Sequence, residues 1–533
     1  MRAGKVIFRV FFALIVVCMA CSTGQSGEAE TRKPYYTEQY RPRFHFSPDS
    51  MWMNDPNGMV YYKGEYHLFY QYHPYSNVWG PMHWGHAVTT DLIHWEHLPV
   101  ALYPDSLGTI FSGSAVIDWN NSSGLGSMED PPMVAIFTQH NQALAESGSN
   151  RFQYQSIAYS SDRGRSWTKY PGNPVLENPG ISDFRDPRVI WMEEVNKWIM
   201  VLAAHDRVMF FSSPDLINWT MESEFGEDTG AHGGVWECPD LFPLEANGEK
   251  KWVLLVSINP GGPNGGSATQ YFVGEFDGKH FQNENPGQDE NPDQNPLWLD
   301  YGKDDYAGVT WSDIPPEDGR RLFLGWMSNW QYATQVPTER WRSAMTLPRE
   351  LRLAQEGESY ILTSVPVHET EMLRAEKHTL EPGPVEGREN VSFLRKGEEP
   401  LYEIDLTFEF DPGKEVDVEF GIRLESDRRE QLIAGYNNNA GHLFIDRNGS
   451  GKTGFSEDFA GIHTAPYQAS ENGEIRFHAF IDVSSVELFV DQGARVMTEL
   501  CFPESGFHKI FLYSSKPSVI LKQGTVYSLN STW

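Results

Sequence analysis

Thr89-Thr90-Asp91-Leu92-Ile93-His94-Trp95 returns, loosely, as Ser160–Trp167 (SSDRGRSW), Ser212–Trp219 (SSPDLINW) and Phe276–Phe281 (FDGKHF). Each copy is a turn that carries an aspartate and closes on an aromatic residue. The aspartates lie 71, 53 and 62 residues apart, a period that suits four-stranded propeller blades with loops of unequal length. A fifth blade is expected near residues 305–345. Around the turns the chain runs in short alternating segments, such as Tyr66-His67-Leu68-Phe69-Tyr70 and Val134-Ala135-Ile136-Phe137. Gly, Pro, Asn and Asp punctuate them, and no stretch sustains an apolar period of 3.6 residues, so the expected class is all-β.

The texture changes near residue 400. Tyr402–Phe410 (YEIDLTFEF), Val416–Leu424 and Ile475–Ile481 alternate apolar and polar residues, as an antiparallel β-sandwich requires. Residues 350–395 are rich in Glu and Pro and read as a connection. Gln282–Pro296 (QNENPGQDENPDQNP) is polar and low in complexity, an exposed loop within the propeller. The expected division is an export signal over 1–20, a tether over 21–40, a propeller over 41–350, a connection over 351–395 and a sandwich over 396–533.

The 533 residues favour two domains, and an aromatic content of 13% supplies both sheet cores and flat faces suited to sugar rings. A formal net charge of −31 repels phosphate backbones, which excludes nucleic acid as a partner class. Arg2 and Lys5 precede an apolar run, Val10 to Ala20, that is too short for a permanent membrane span. The run ends Cys18-Met19-Ala20-Cys21, a pattern similar to a bacterial lipobox, in which Cys21 would carry the lipid. Ser22 to Lys33 then reads as a flexible tether. An exported, membrane-anchored protein is therefore expected. Cys238 and Cys501 are too distant for a disulfide framework, and no Cys or His spacing suggests a metal site.

Three acidic motifs carry the chemistry: Trp52-Met53-Asn54-Asp55-Pro56-Asn57-Gly58, Phe184-Arg185-Asp186-Pro187 and Trp236-Glu237-Cys238-Pro239. They stand 36, 29 and 40 residues before Asp91, Asp215 and Asp277, early in three different blades. The first strand of a blade lines the axis, so three acids would meet in one funnel. Glycoside hydrolysis needs that convergence, one carboxylate at the anomeric carbon and one carboxylic acid at the leaving oxygen. Trp236 and Cys238 are expected to desolvate Glu237 and keep it protonated, as a general acid requires.

These motifs resemble glycoside hydrolase family 32, the β-fructosidases, over nearly all of the chain from Phe44 onward. Phe69–Pro74 (FYQYHP), Trp84-Gly85-His86, Phe111-Ser112-Gly113-Ser114, Gly325–Tyr332 (GWMSNWQY) and Phe480–Val490 (FIDVSSVELFV) add to the resemblance. The resemblance implies a five-bladed β-propeller followed by a β-sandwich, matching the reading from the residues. It implies Asp55 as nucleophile, Glu237 as acid/base, and Asp186 with Arg185 on the ring hydroxyls. Asn54, Gln71, Trp79, Phe111 and Ser112 would line the fructose subsite, with Trp330 near its rim. A retaining reaction without cofactor follows, with the two working carboxyls about 5–5.5 Å apart. Levan or inulin is the favoured substrate, and the short loops Tyr75–Met82 and Tyr103–Ile110 favour attack at chain ends. A dedicated sucrose invertase, an endo-acting levanase or inulinase, a fructosyltransferase and a non-catalytic fructan-binding protein are the alternatives. The presence of all three acids weighs against the last.

Overall fold

The computed structural model describes residues 36–285, 296–394, 398–414, 416–470 and 472–533. The expected signal segment, Cys21, the start of the tether and most of Gln282–Pro296 lie outside the described residues.

Four of the five propeller sheets begin with Met51–Tyr62, Thr109–Ile117, Phe184–Met192 and Val235–Ala246; the fifth begins with Tyr306–Thr310. These five innermost strands neighbour one another in a closed ring, the fifth returning to the first. Antiparallel strands step outward from each, as from Met51–Tyr62 through Glu65–His73 and His83–Thr89 to Glu96–Leu102. The ring is tied shut by Trp341–Arg342, which pairs parallel to Met51 and Trp52 from beyond the fifth blade's second strand.

The four aspartate turns are the hairpins between the third and fourth strands of their blades. Asp91, Asp215 and Asp277 each accept two backbone N–H groups two and three residues ahead, between 2.7 and 3.0 Å. Asp162 accepts the Ser166 N–H at 2.9 Å. The residue after each aspartate is left-handed: Leu92, Arg163, Leu216 and Gly278 have φ of 65°, 61°, 63° and 91°. A short side chain that hydrogen-bonds its own backbone stabilises that conformation, which is why aspartate recurs at the turn.

Two expected boundaries change. The stretch read as a connection begins with Arg349–Glu356 and Ser359–Pro366, a hairpin that completes the fifth blade. Its inward positions, Leu351, Leu353, Tyr360 and Leu362, are buried, while its outward positions carry the charge that disguised it. Farther on, Arg374–Leu380 and Gly387–Asn390 already belong to the sandwich sheets. At the other end, Tyr36 and Tyr40 lie within the expected tether but pack on the body. Tyr36 stacks on Trp533 at 4.2 Å, and Tyr40 meets Phe502 edge-on at 5.3 Å.

The sandwich is a seven-stranded sheet facing a six-stranded one. Ile404, Leu406 and Phe408 of one and Phe420, Ile422 and Leu424 of the other are fully buried between them. It docks on the propeller through buried charges. Arg349 bridges Asp300, Asp305 and Glu487, and Arg447 lies between Asp304 and Glu499. Desolvation takes back most of what such buried pairs gain, so these clusters add little net stability, although removing one partner would cost several kcal/mol, on the order of 3–5.

Candidate active site

Each innermost strand breaks its ladder at the same level. The register slips at Met53/Pro56, Ile110/Gly113, Arg185/Arg188, Glu237/Asp240 and Tyr306/Val309. A bulge bends the strand and turns a side chain out of its alternating position. Pro56, Pro187 and Pro239, which cannot donate to a ladder, stand within three of these slips. Asp186, Cys238 and Ala307 hold left-handed φ of 66°, 45° and 53°, and strain of this kind gathers at functional sites. The first four bulges direct side chains into one cavity, and at the fifth Tyr306 reaches Glu237 from beside it.

That cavity, of about 570 Å³, is lined by every sequence-predicted site residue of the propeller. Asn54, Asp55 and Gln71 come from the first blade, with Trp79 from its loop. Phe111 and Ser112 come from the second, Arg185 and Asp186 from the third, Glu237 from the fourth, and Trp330 from the fifth. Cys21 lies outside the described residues. Gly58 lets the first strand pack against its own blade, since a Cβ there would lie 2.7 Å from the Trp84 ring.

Both oxygens of Asp55 are held. Asn54 Nδ2 donates to Oδ1 at 2.9 Å and Ser112 Oγ to Oδ2 at 2.7 Å. Asn54 is itself fixed by Trp52 Nε1 at 2.7 Å. Asp186 Oδ2 accepts the Cys238 N–H at 3.1 Å, and its own N–H donates to Thr138 Oγ1 at 2.9 Å. The Cys238 thiol bridges the two acids, 3.5 Å from Asp55 Oδ2 and 3.7 Å from Asp186 Oδ2. Glu237 is gripped on one oxygen by Arg185 and on the other by the Tyr306 phenol. Arg185 also meets Asp183 Oδ1 at 2.5 Å.

The expected desolvation of Glu237 by Trp236 does not occur. Trp236 points away from the cavity, fully buried, and donates to the Ala231 carbonyl at 2.9 Å, as strand alternation requires. Glu237 keeps a side chain 20% exposed, paired with Arg185.

Burial raises the Asp55 carboxyl above its ordinary value, and the Glu237 charge raises it further; Ser112 and Asn54 pull it back. Burial also pushes Asp186 up to about 7, against the pull of Arg185 and with the push of Glu237 and Asp55. Burial, with the acids around them, keeps the Tyr306 phenol and the Cys238 thiol protonated, so both are donors here. The arrangement offers one carboxylate held for attack, a second carboxyl bound to a cation and a phenol on the facing blade, and a third beside them.

Tyr306, Asp183, Gln153 and His140 were not singled out from the sequence. Tyr306 sits in a Tyr-Ala-Gly-Val run that reads as plain strand. His140 stacks under Phe111 at 4.6 Å, a contact that only the folded second blade brings about. Among the described residues no group of His, Cys, Asp and Glu is spaced to hold a metal ion.

Residues 45–364 match the family description "Glycosyl hydrolases family 32 N-terminal domain" and residues 369–528 match "Glycosyl hydrolases family 32 C terminal". A levanase of Bacillus subtilis (strain 168) is 50% identical over 508 residues, spanning 94% of this chain and 72% of its own length. An extracellular exo-inulinase of Aspergillus ficuum is 38% identical over 527 residues, spanning 93% of this chain and 96% of its own. The crystal structure of exo-inulinase from Aspergillus awamori superposes with a TM-score of 0.84 at 36% identity, covering 93% of this chain and all of that one.

Proposed function

The chain belongs to glycosyl hydrolase family 32, and on that premise we propose that it releases fructose from the ends of β-fructans by a retaining, two-step displacement. It is a β-fructosidase, a glycoside hydrolase with levanase and exo-inulinase relatives. The observation that carries the mechanistic reading is the convergence of Asp55, Asp186 and Glu237, from three blades, in one cavity.

Asp55 is the nucleophile. Its carboxylate attacks C2 of the terminal fructosyl unit, with Asn54 and Ser112 fixing its direction of approach. Glu237 gives a proton to the leaving oxygen as the C2–O bond breaks, leaving a fructosyl ester on Asp55. Glu237 then takes a proton from water, the water oxygen bonds to C2, and Asp55 is freed with fructose. Asp186 and Arg185 hold ring hydroxyls and stabilise the positive charge that develops at C2. Gln71, Phe111 and Trp330 complete the ring's surroundings. Trp79, 46% exposed at the rim, offers a face to the next sugar unit.

Levan or inulin is the main substrate and sucrose a side substrate. The protein is exported, in keeping with extracellular relatives, and the lipobox-like segment ending at Cys21 supports a lipid anchor in a membrane. Incubation of the purified protein with levan, inulin and sucrose, with products resolved by chromatography, tests the reading. Free fructose from a fructan supports it. Transfer products in place of fructose, or release from sucrose alone, would replace it.

A further inference from the structure

A second cavity, of about 340 Å³, lies at the opposite end of the propeller axis. Asp55, Asp186 and Glu237 stand near the starts of their strands. This cavity is lined by Ile117, Met192, Phe242 and Asp313, which lie beyond the middle of inner strands or just past their ends. Arg188 separates the two, 2.8 Å from Asp240 and donating to the Thr310 carbonyl at 2.9 Å.

The lining is not that of a packing defect. The Arg321 guanidinium sits over the Phe242 ring at 5.1 Å. Its buried Nε meets no acceptor, and no carboxylate pairs with it among the described residues. Facing the same space, the Asp313 carboxylate accepts from Trp119 Nε1 at 2.8 Å and the Ile117 N–H at 3.0 Å, which leaves lone pairs to spare. Trp191, Trp198 and Trp252 contribute indole surface, and Trp119 stands 53% exposed at the rim. An inorganic anion would suit Arg321, but the other cations of the lining, Arg188 and Lys250, are already paired with Asp240 and Glu194, and Asp313 and Glu193 face the same space. A sugar ring meets both demands, because its hydroxyls accept from the guanidinium and donate to the carboxylate while its C–H face lies on an indole.

We propose that this rear cavity is a non-catalytic carbohydrate site that binds one sugar ring of a fructan between Arg321, Asp313 and Trp119. Binding there holds polymer close to the enzyme while the front pocket works, a gain in effective concentration that a disaccharide cannot use.

Affinity electrophoresis through gels containing levan tests this with Asp55→Asn protein, which leaves the polymer uncut. Adding Arg321→Met or Trp119→Ala should weaken retardation several-fold. In the active protein the same two changes should raise the apparent KM for levan several-fold and leave sucrose turnover unaltered. Trp119 is exposed, so its variant keeps the test open should Arg321→Met fold poorly. Unchanged retardation and unchanged KM in Trp119→Ala would overturn the proposal. So would an equal loss on sucrose in both variants, since the effect would then belong to the front pocket. Sucrose turnover in the parent protein reports separately on the fructosidase reading.

Discussion

Arg185 holds Glu237 by a single oxygen: its Nη2 and Nε lie 2.9 and 3.2 Å from Oε1 and leave Oε2 to the Tyr306 phenol. The acid is positioned by a cation and a phenol from neighbouring blades, and the two contacts fix the plane of its carboxyl group. Glu237→Gln keeps the shape and removes the transferable proton. Turnover of sucrose or fructan should fall by about 10²–10⁴-fold, the range of general acid–base catalysis. Aryl fructosides with good leaving groups need little protonation and should lose far less in the first step. Equal losses on both kinds of substrate would assign the acid elsewhere.

Asp55→Asn should be folded and nearly inert. The amide oxygen can accept from Ser112 as the carboxylate does, its NH2 then meeting the Asn54 amide, which must turn. It cannot form the fructosyl ester, so turnover should drop by several powers of ten in a protein that still folds. Retention of more than a tenth of the activity would remove Asp55 from its role. Ser112→Ala, which frees one carboxylate oxygen, should be a milder lesion in the same direction.

The four aspartate turns made the propeller legible because each is a local device, an aspartate bonded to its own backbone beside a left-handed residue. The fifth blade breaks the rule. Its corresponding turn is Glu356-Gly357-Glu358, with glycine in the left-handed position, φ of 64°, and no aspartate. The sequence therefore places the blade's end too early and gives its last two strands the look of a connection. The acids were legible because each stands at a like distance, 36, 29 and 40 residues, before an aspartate turn, and because their motifs resemble the family. The partners of Glu237 were not. Which neighbours face a strand residue depends on bulge geometry, and at Glu237 the bulge turns Cys238 inward and leaves Trp236 in the core. Tyr306 and Arg321 give no local sign of what they face, since both answer to blades distant in sequence.

Asp186 should cost the protein stability at neutral pH. Its folded pKa of about 7 lies above the ordinary aspartate value of about 3.9. A carboxyl raised on folding contributes its stability in full below the unfolded pKa and loses it as pH rises through the folded one. Asp186→Asn should therefore melt little differently from wild type near pH 4 and a few degrees higher near pH 8, while activity falls steeply. Melting scans at the two pH values check this. A gain confined to acid pH would reverse the assignment.

Anchoring should depend on Cys21. Cys21→Ala, expressed with its export segment, should leave the membrane fraction, because a multiply acylated cysteine binds a bilayer firmly and an unacylated chain does not. Fractionation followed by activity assay measures it. Wild-type protein found wholly in the soluble fraction after export would defeat the idea.

Attack should be confined to chain ends, because the front cavity has a closed floor. Beneath the acids the axis is filled by hydrogen-bonded side chains. Gln71 Nε2 donates to Asn57 Oδ1 at 2.8 Å, Ser114 Oγ accepts the Val189 N–H at 3.0 Å, and Asp240 Oδ2 accepts the Thr310 N–H at 2.6 Å. The hollow left among Asn57, Ser114 and Arg188 is about 10 Å³, room for a water at most. A terminal fructosyl ring can reach Asp55 with its last hydroxyls against this floor. An internal unit would have to continue through it. Trp79, Phe111 and Trp330, from the first, second and fifth blades, raise an aromatic wall above this floor. A time course on levan and inulin should show fructose from the first minutes while the mean polymer length falls slowly. Early oligosaccharides with a rapid fall in polymer length would mean that the chain crosses the cavity rather than ending in it.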